Sequence, residues 1–463
     1  MVQKGPCSAV KVLPMSPSLL LSAASRAAVL LLVLTVGGCD GAGAGAKVEP
    51  GKGAELALVQ RVMSEVEKTY VKKVTEKELA EDALKGMLTR LDPHSDYLDE
   101  RQYKEMVSVT RGRFGGIGIE LTLEAGVPQV IAPIDGTPAA AAGIEPGDRI
   151  VRIDGQATSG MNAEEIVERL RGAVGTRVKL TIDRKGKPQF SVILTRAVIH
   201  VASVKSALEP DHIGYARLTS FVESTPPDLG AAIARLKRKA GGRLNGFILD
   251  LRNNPGGLLD AAVSVAGDFL DGGTVVTTRG RHADDDRAYT APLSGDLLHG
   301  VPLVVLVNSA SASASEIVAG ALQDHRRGVI MGTRSFGKGS VQSIIPLDSE
   351  GALRLTTALY YTPSGRSIQD RGIEPNIIVP LPKDEQVANA MITHERDLFG
   401  AFKNTGPLPG SKAGAPGRAG KAAGSERRPI KPILIGTKKD AQLKAAILYL
   451  EQRAGRGKRA RSG

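Results

Sequence analysis

Val301-Pro302-Leu303-Val304-Val305-Leu306-Val307-Asn308-Ser309-Ala310-Ser311-Ala312-Ser313-Ala314-Ser315-Glu316 joins an unbroken apolar run to an alternation of serine and alanine. A short apolar run bounded by turn formers predicts a strand covered on both faces. The Ser/Ala stretch leads into a helical pattern over residues 313–323, so a strand-to-helix crossing falls here. A second covered strand is predicted at Asn245-Gly246-Phe247-Ile248-Leu249-Asp250-Leu251, and helices at residues 227–239 and 258–269. Strands and helices thus alternate after Val198, the pattern of an α/β sheet. A hydroxyl at such a crossing lies beside backbone donors and the positive end of a helix, which suits stabilisation of an oxyanion. Ser313-Ala314-Ser315-Glu316 also has the Ser-x-x-Glu form of a capping box, which needs no catalytic role.

A second segment adds a base. Ser335-Phe336-Gly337-Lys338-Gly339-Ser340-Val341-Gln342 is a glycine-flanked turn entering an apolar strand at residues 343–347. Lys338 and Gln342 are an even number of residues apart, so an extended chain shows both on one face. A lysine where water is scarce loses its proton more easily and can serve a serine as general base. An amide beside it would hold the amine without a competing charge. The strand predicted at residues 353–360 alternates and reads as half exposed.

Upstream, residues 56–90 carry apolar side chains at helical spacing, with a break near residues 72–75. Leu91-Asp92-Pro93-His94-Ser95-Asp96-Tyr97 is a turn-rich stop. Residues 112–197 form a compact unit with strands predicted at 129–133, 149–153, 177–183 and 189–195 and a helix at 163–171. With Gly147-Asp148-Arg149-Ile150-Val151-Arg152-Ile153-Asp154-Gly155 in its middle, this unit resembles a PDZ domain. That resemblance implies capture of an extended chain end on a sheet edge, its terminal carboxylate held by backbone N–H groups of a glycine-rich loop. Gly115, Gly116, Ile117, Gly118 and Ile119 stand at the position of that loop. The stretch runs into a strand rather than opening a helix, which argues against a dinucleotide site.

Taken together, these motifs resemble the carboxyl-terminal processing peptidases, or tail-specific proteases, a serine peptidase family using a Ser–Lys pair. The resemblance rests on Asp250-Leu251-Arg252-Asn253-Asn254-Pro255-Gly256-Gly257, the Ser/Ala segment at 311–316, Gly337-Lys338-Gly339 with Gln342, and Tyr361-Thr362-Pro363-Ser364-Gly365-Arg366-Ser367-Ile368-Gln369. It implies Ser313 as nucleophile, Lys338 as base and Gln342 as its support. It also implies oxyanion donors at Ala314 and at Gly256 or Gly257, and matches Asp324 to an acid assigned to the charge relay in some members. Ser335, Gly328 and Asn376 depart from the usual Thr, Ala and Asp. A Ser-His-Asp triad is the competing mechanism. His325, the histidine nearest the motif in sequence, is three helical turns from Ser313, ~18 Å at roughly 1.5 Å per residue, too far to reach it.

The chain has 463 residues and a net charge of +12. That length allows two to four domains at ~100–200 residues each. Residues 411–463 carry +11 and residues 1–38 carry +3, leaving −2 on the body. A nucleic-acid binder would keep its basic face within the folded part, so no nucleic acid is expected. Lys4, Lys11 and Arg26 precede an apolar run at 27–36, then Gly37, Gly38 and Cys39, the layout of a secretory signal. Val36-Gly37-Gly38-Cys39 resembles a lipobox, which implies a lipid on Cys39 and a place on the periplasmic side of the inner membrane; the alternative is a plain signal cut near Gly38, with Cys39 incidental. The other cysteine, Cys7, lies inside the signal, so neither disulfides nor a cysteine metal site is expected. No metal-ligand spacing and no Walker loop appear, and no cofactor is expected.

The expected architecture is α+β and multidomain. It comprises a signal at 1–38, a tether at 39–53, a helical segment at 54–111 and the PDZ unit, β-barrel-like, at 112–197. The α/β catalytic core follows at 198–402, then a linker at 403–432 and a C-terminal helix with a basic tail at 433–463. The expected function is an exported, ATP-independent serine endopeptidase acting on proteins with apolar C-terminal tails. An adaptor protein and a homo-oligomer are compatible partners. The alternatives are an inert PDZ scaffold at the cell envelope and a lipid or nucleic-acid binder acting through residues 453–463.

Overall fold

The computed structural model describes residues 52–124, 126–200, 202–293, 295–380, 394–404, 435–436 and 439–459. The expected signal, Cys39 and nearly all of the expected linker lie outside them. The chain divides into two compact units, residues 1–64 and 65–463. In the first, residues 52–64 are helical, the opening of the helix Lys52–Thr69.

The second unit opens with the end of that helix and with Glu76–Thr89. The break falls where a cap can form. Glu78 N–H donates to Thr75 Oγ1 at 3.2 Å, and Thr75 N–H donates to the Glu78 carboxylate at 2.8 Å. The stop at 91–97 ends in a short strand, Asp96–Leu98, and then a third helix, Glu100–Thr110, follows.

The core sheet runs in the order Val204–Glu209, Ile213–Leu218, Gly246–Asp250, Leu303–Val307, Gly328–Gly332, Ile377–Ile378. The first pair is antiparallel and the others parallel. Alternate residues of the two central strands face opposite layers. Phe247, Leu249, Val305 and Val307 pack with the helices Thr225–Lys239, Leu259–Gly267 and Ala314–Asp324. Ile248, Val304 and Leu306 pack with Leu443, Ala446 and Leu450 of the C-terminal helix Ala441–Arg459. Both faces are covered, which is why these strands read as unbroken apolar runs.

A second sheet stands beside the core. Ala352–Tyr361 pairs antiparallel with Asp96–Leu98, Thr274–Arg279 and Ser340–Pro346. The strand after the lysine turn therefore starts three residues earlier than the apolar pattern alone suggests, because Ser340 already pairs with Leu359.

The small unit is a six-stranded sheet ordered Ile119–Glu124, Val127–Pro133, Arg149–Ile153, Arg177–Asp183, Phe190–Thr195, with Gln156–Ala157 on the third. Its core holds Ile117, Val130, Ile150, Leu180 and Ile166 of the helix Ala163–Leu170. The chain enters along Arg113–Gly116 and leaves along Ala197–His200, and these two strands pair antiparallel. Gly115 and Gly116 therefore belong to a paired strand and not to the open loop expected of them, which narrows to Ile117–Ile119.

Candidate active site

Gly246–Asp250 and Leu303–Val307 pair in parallel register, Phe247 with Leu303 and Asp250 with Leu306. Their C-terminal ends lie level, so the turns that follow meet at the edge where α/β sheets carry their sites. Hydrogen bonds lock them together. Asn253 N–H donates to Asn308 Oδ1 at 3.0 Å, Asn308 Nδ2 to Asn253 Oδ1 at 2.7 Å, and Ala312 N–H to the Asn254 carbonyl at 3.0 Å. The flanking serines are used in the same way. Ser311 Oγ donates to the Leu251 carbonyl at 2.8 Å and Ser315 Oγ to the Asn254 carbonyl at 2.9 Å, both fully buried. The middle serine, Ser313, faces an open cavity of about 800 Å³ instead.

Ser313 sits at φ +54°, ψ −113°, directly before the helix Ala314–Asp324. That left-handed conformation costs a non-glycine residue about 1–3 kcal/mol and persists only where surroundings enforce it. A serine on a strained strand-to-helix turn presents its hydroxyl outward. Gly256 comes close against it. A Cβ there would lie 2.9 Å from both the Ala312 carbonyl and Ser313 Cβ, at φ +106°. Gly256 N–H already donates to Asn254 Oδ1 at 2.9 Å. Among the described residues, hydrogen bonds leave the N–H groups of Gly257 and Ala314 uncommitted, which separates Gly257 from Gly256 as the candidate oxyanion donor.

Lys338 lines the same cavity, half-buried. Burial pulls its ammonium below the ordinary lysine range; Glu395 acts in the opposite sense and Arg354 adds to the lowering. The lysine turn is tied to the serine turn through Phe336 N–H, which donates to the Ser311 carbonyl at 3.0 Å. The principal tie is Glu316, wholly buried. Its carboxylate accepts from Ser313 N–H at 2.8 Å, Lys338 N–H at 2.9 Å, Gly337 N–H at 2.7 Å and Ser335 Oγ at 2.5 Å. Sequence reading marks Glu316 as a cap alone; the structure makes it the clamp between candidate nucleophile and candidate base.

Gln342 lines the cavity too, but its amide has other partners. Its Nε2 donates to Ser340 Oγ at 3.0 Å and Thr356 Oγ1 at 3.2 Å. Lys338 precedes the strand and the register shifts between Val341 and Gln342, yet both residues line the same cavity. Asp324 is not brought to the cavity. The helix carries it to the far end, where it accepts from Ser364 N–H at 3.0 Å and Arg366 at 3.3 Å. His325 is likewise distant from the turn, with Nε2 on the Thr274 carbonyl at 2.7 Å.

Several residues had no local signal. Tyr360, 2% exposed, donates its hydroxyl to the Lys338 carbonyl and interacts with the Ser313 side chain. Behind the lysine turn, Gly339 N–H donates to Gln369 Oε1 at 2.8 Å, and Gln369 Nε2 to buried Glu395 at 3.0 Å. His94 Nε2 lies 2.9 Å from the same carboxylate, although 301 residues separate the two. Among the described residues no group of three His, Cys, Asp or Glu could hold a metal ion.

In the small unit the backbone of Ile117–Ile119 has a definite direction. The Ile117 carbonyl accepts from Ala139 N–H at 2.9 Å, and the Gly118 carbonyl from Ile134 N–H at 2.9 Å and Thr137 Oγ1 at 3.1 Å. A trans peptide sets N–H opposite C=O, so the N–H groups of Gly118 and Ile119 point away from these partners. Ile119–Glu124 is an edge strand of its sheet. Gly118 has φ +77°, and a Cβ there would strike Thr137 at 2.3 Å, so only glycine closes this turn.

Residues 212–379 match peptidase family S41, residues 129–184 a PDZ domain, and residues 40–102 the activating protease CtpB N-terminal domain. A carboxy-terminal-processing protease of Bartonella bacilliformis is 50% identical over 353 residues, 75% of this chain and 81% of its own. The carboxy-terminal processing protease CtpA of Bacillus subtilis is 34% identical, over 70% of this chain and 69% of its own. A carboxyl-terminal-processing protease of Picosynechococcus is 38% identical, over 69% and 77%. The fold and these matches define a serine-type peptidase that carries a PDZ domain. Within that class, the chain belongs to the carboxy-terminal-processing proteases.

The clamp makes a prediction. Burial pushes the Glu316 carboxyl up to about 7, while the four donors favour its charged form. With its folded value above the unfolded one, Glu316 favours the fold at acid pH and loses that contribution as pH rises through about 7. That is the range in which the clamp becomes charged. Glu316→Gln is expected to set an NH₂ donor against backbone N–H donors. It should lower kcat on a protein substrate roughly 100-fold, the scale of an ångström-sized misplacement, with KM little changed. Steady-state kinetics with a melting curve measure this, and wild-type kcat would remove the clamp from the mechanism.

Proposed function

We propose that this protease is exported, held at the periplasmic face of a membrane by lipid on Cys39, and cuts chains chosen by their C-terminal tails through a Ser313–Lys338 dyad that needs no nucleotide. The observation that carries the dyad is the clamp: one buried carboxylate accepts from the backbone of both residues where they line one cavity. In this reading neutral Lys338 takes the Ser313 proton. The alkoxide attacks the scissile carbonyl, and the oxyanion settles on Ala314 and Gly257 N–H. Lys338 then returns the proton to the leaving amine, and water repeats the sequence on the acyl-enzyme. Gln342 supports the base indirectly, by bracing the strand that follows it.

Tail selection is read from the edge strand Ile119–Glu124, on which an extended chain can add, and from the outward N–H groups of Gly118 and Ile119, which suit a terminal carboxylate. Phe114 and Arg171, at the neck of the PDZ unit, line the cavity that holds Ser313, and the Arg171 guanidinium lies 4.5 Å from the Phe114 ring centroid. A bound tail is therefore read at the wall of the reaction site.

Three outcomes are expected. In nucleotide-free buffer Ser313→Ala and Lys338→Ala each lower kcat by more than about 10⁴-fold, with the double variant no worse, since such residues act as a unit. Wild-type activity rises with pH as Lys338 loses its proton; substantial turnover by Lys338→Ala would overturn the mechanism. A folded reporter with a free apolar tail is cut faster at a distant site than the same reporter amidated or ending in aspartate. Equal initial rates for all three would leave the PDZ domain without this role. Cys39→Ser moves the protein out of the membrane fraction, and a mature N-terminus elsewhere without lipid would refute anchoring.

A further inference from the structure

Arg252 is 1% exposed and sits immediately before the loop Asn253–Gly257. Its guanidinium is fully engaged. Nε and Nη2 donate to Asp250 at 2.9 and 2.6 Å, and Tyr215 steadies that carboxylate by donating its hydroxyl at 2.8 Å. The other side of the fork is filled from the far end of the chain. Nη1 and Nη2 donate to the two oxygens of Asp440 at 2.9 and 2.6 Å, and Nη1 also to Gln442 Oε1 at 3.0 Å. Asp440 is itself fixed, accepting from Gly436 N–H at 2.9 Å and Leu443 N–H at 3.0 Å at the start of the C-terminal helix. Gln442 Nε2 donates to the Val379 carbonyl at 2.8 Å.

The loop's other ties stay within the core sheet and its turns: Asn253 with Asn308, the Asn254 carbonyl with Ala312 and Ser315, Asn254 Nδ2 with the Leu218 carbonyl at 3.0 Å, and the Gly256 carbonyl with Phe221 N–H at 2.9 Å. Arg252 alone among them hands the loop to a segment about 190 residues later in sequence. A buried bidentate pair is a costly way to dock a helix, since apolar residues of like size do that as well or better. Leu443, Ala446 and Leu450 already dock this helix. What the pair adds is direction, a planar fork that sets the position and angle of the residue opening the loop.

We propose that the C-terminal helix is a positioning element for the oxyanion loop, with Asp440 acting through Arg252 to place Gly257 N–H opposite Ala314 N–H. This rests on the reading of Ser313 as nucleophile. Asp440→Asn keeps the shape but sets an NH₂ against the guanidinium. The full-length variant should lower kcat about tenfold or more and slow phosphonylation of Ser313 by a small fluorophosphonate by a similar factor, with KM for the tailed reporter within about twofold. Gln442→Leu, which removes one of the five bonds to the fork, should show the same pattern more weakly. Leu450→Ala, fully buried and packed on the sheet ten residues beyond Asp440, should lower the melting temperature yet leave kcat and labelling at wild-type values when assayed well below it. The proposal is overturned if Asp440→Asn and Gln442→Leu, folded by circular dichroism, keep wild-type kcat and labelling, or if Leu450→Ala loses both to the same extent. Ser313→Ala run alongside separates the two readings: if it keeps activity and labelling, the nucleophile reading fails rather than the positioning one.

Discussion

The level ends of two neighbouring parallel strands are the constraint on which the rest of this structure depends. Pairing of Asp250 with Leu306 brings two turns together that are 55 residues apart in sequence. Their polar side chains are consumed in tying one to the other, Asn253 to Asn308 and Ser315 to Asn254. That spending has two effects. It leaves N–H groups at Gly257 and Ala314 with no hydrogen-bond partner among the described residues, and it holds Ser313 in a backbone conformation it would not adopt alone. Strain at one residue is sustainable because the residues on either side have no freedom to relax it.

Buried charge follows the same logic. An apolar residue in place of Glu316 would remove the cost of burying a carboxyl but leave four donors unsatisfied. The clamp is retained because two backbone segments from different elements converge on it. Lys338 presents the opposite problem: burial favours its neutral form, while Glu395 partly restores the charged one. As pH rises Glu316 becomes charged and Lys338 becomes neutral, the states that the proposed dyad uses.

Much of this was legible in the sequence, for physical reasons that also mark where legibility ends. The covered strands at 245–251 and 301–307 read clearly because burial on both faces removes polar residues from the run. The break before Thr75 read clearly because helix punctuation is local. The register shift between Val341 and Gln342 was not legible, since alternation carries no mark of a bulge, although Lys338 and Gln342 do line one cavity. Gly115 and Gly116 read as a loop because glycine is silent about pairing; Gly115 lies so close to the Gly172 carbonyl that a Cβ would fall 2.1 Å from it. His94, Glu395, Arg252 and Asp440 were invisible as partners, since their meeting depends on topology rather than spacing. His325 drew notice through proximity to the serine motif in sequence, the feature that matters least once the helix carries it away.

The neck between the PDZ unit and the core brings Phe114 and Arg171 to the cavity that Ser313 and Lys338 line. Arg113–Gly116 pairs with Ala197–His200, so the chain enters and leaves the PDZ unit through one two-stranded ribbon. Around that ribbon, Arg171 from the end of the PDZ helix pairs with Glu105 of the helix Glu100–Thr110 and lies over Phe114. These contacts are few and partly exposed, whereas those joining the serine and lysine turns are many and buried. Exposed ion pairs of this kind contribute about 0–1 kcal/mol, so Arg171–Glu105 adds little beside the backbone pairing of the ribbon. A ligand shifts such an arrangement only by its difference in affinity for the two states. The bonds that fix Ser313 are separate from those of the neck, so in the proposed reading selection and catalysis share one cavity wall without sharing one set of bonds.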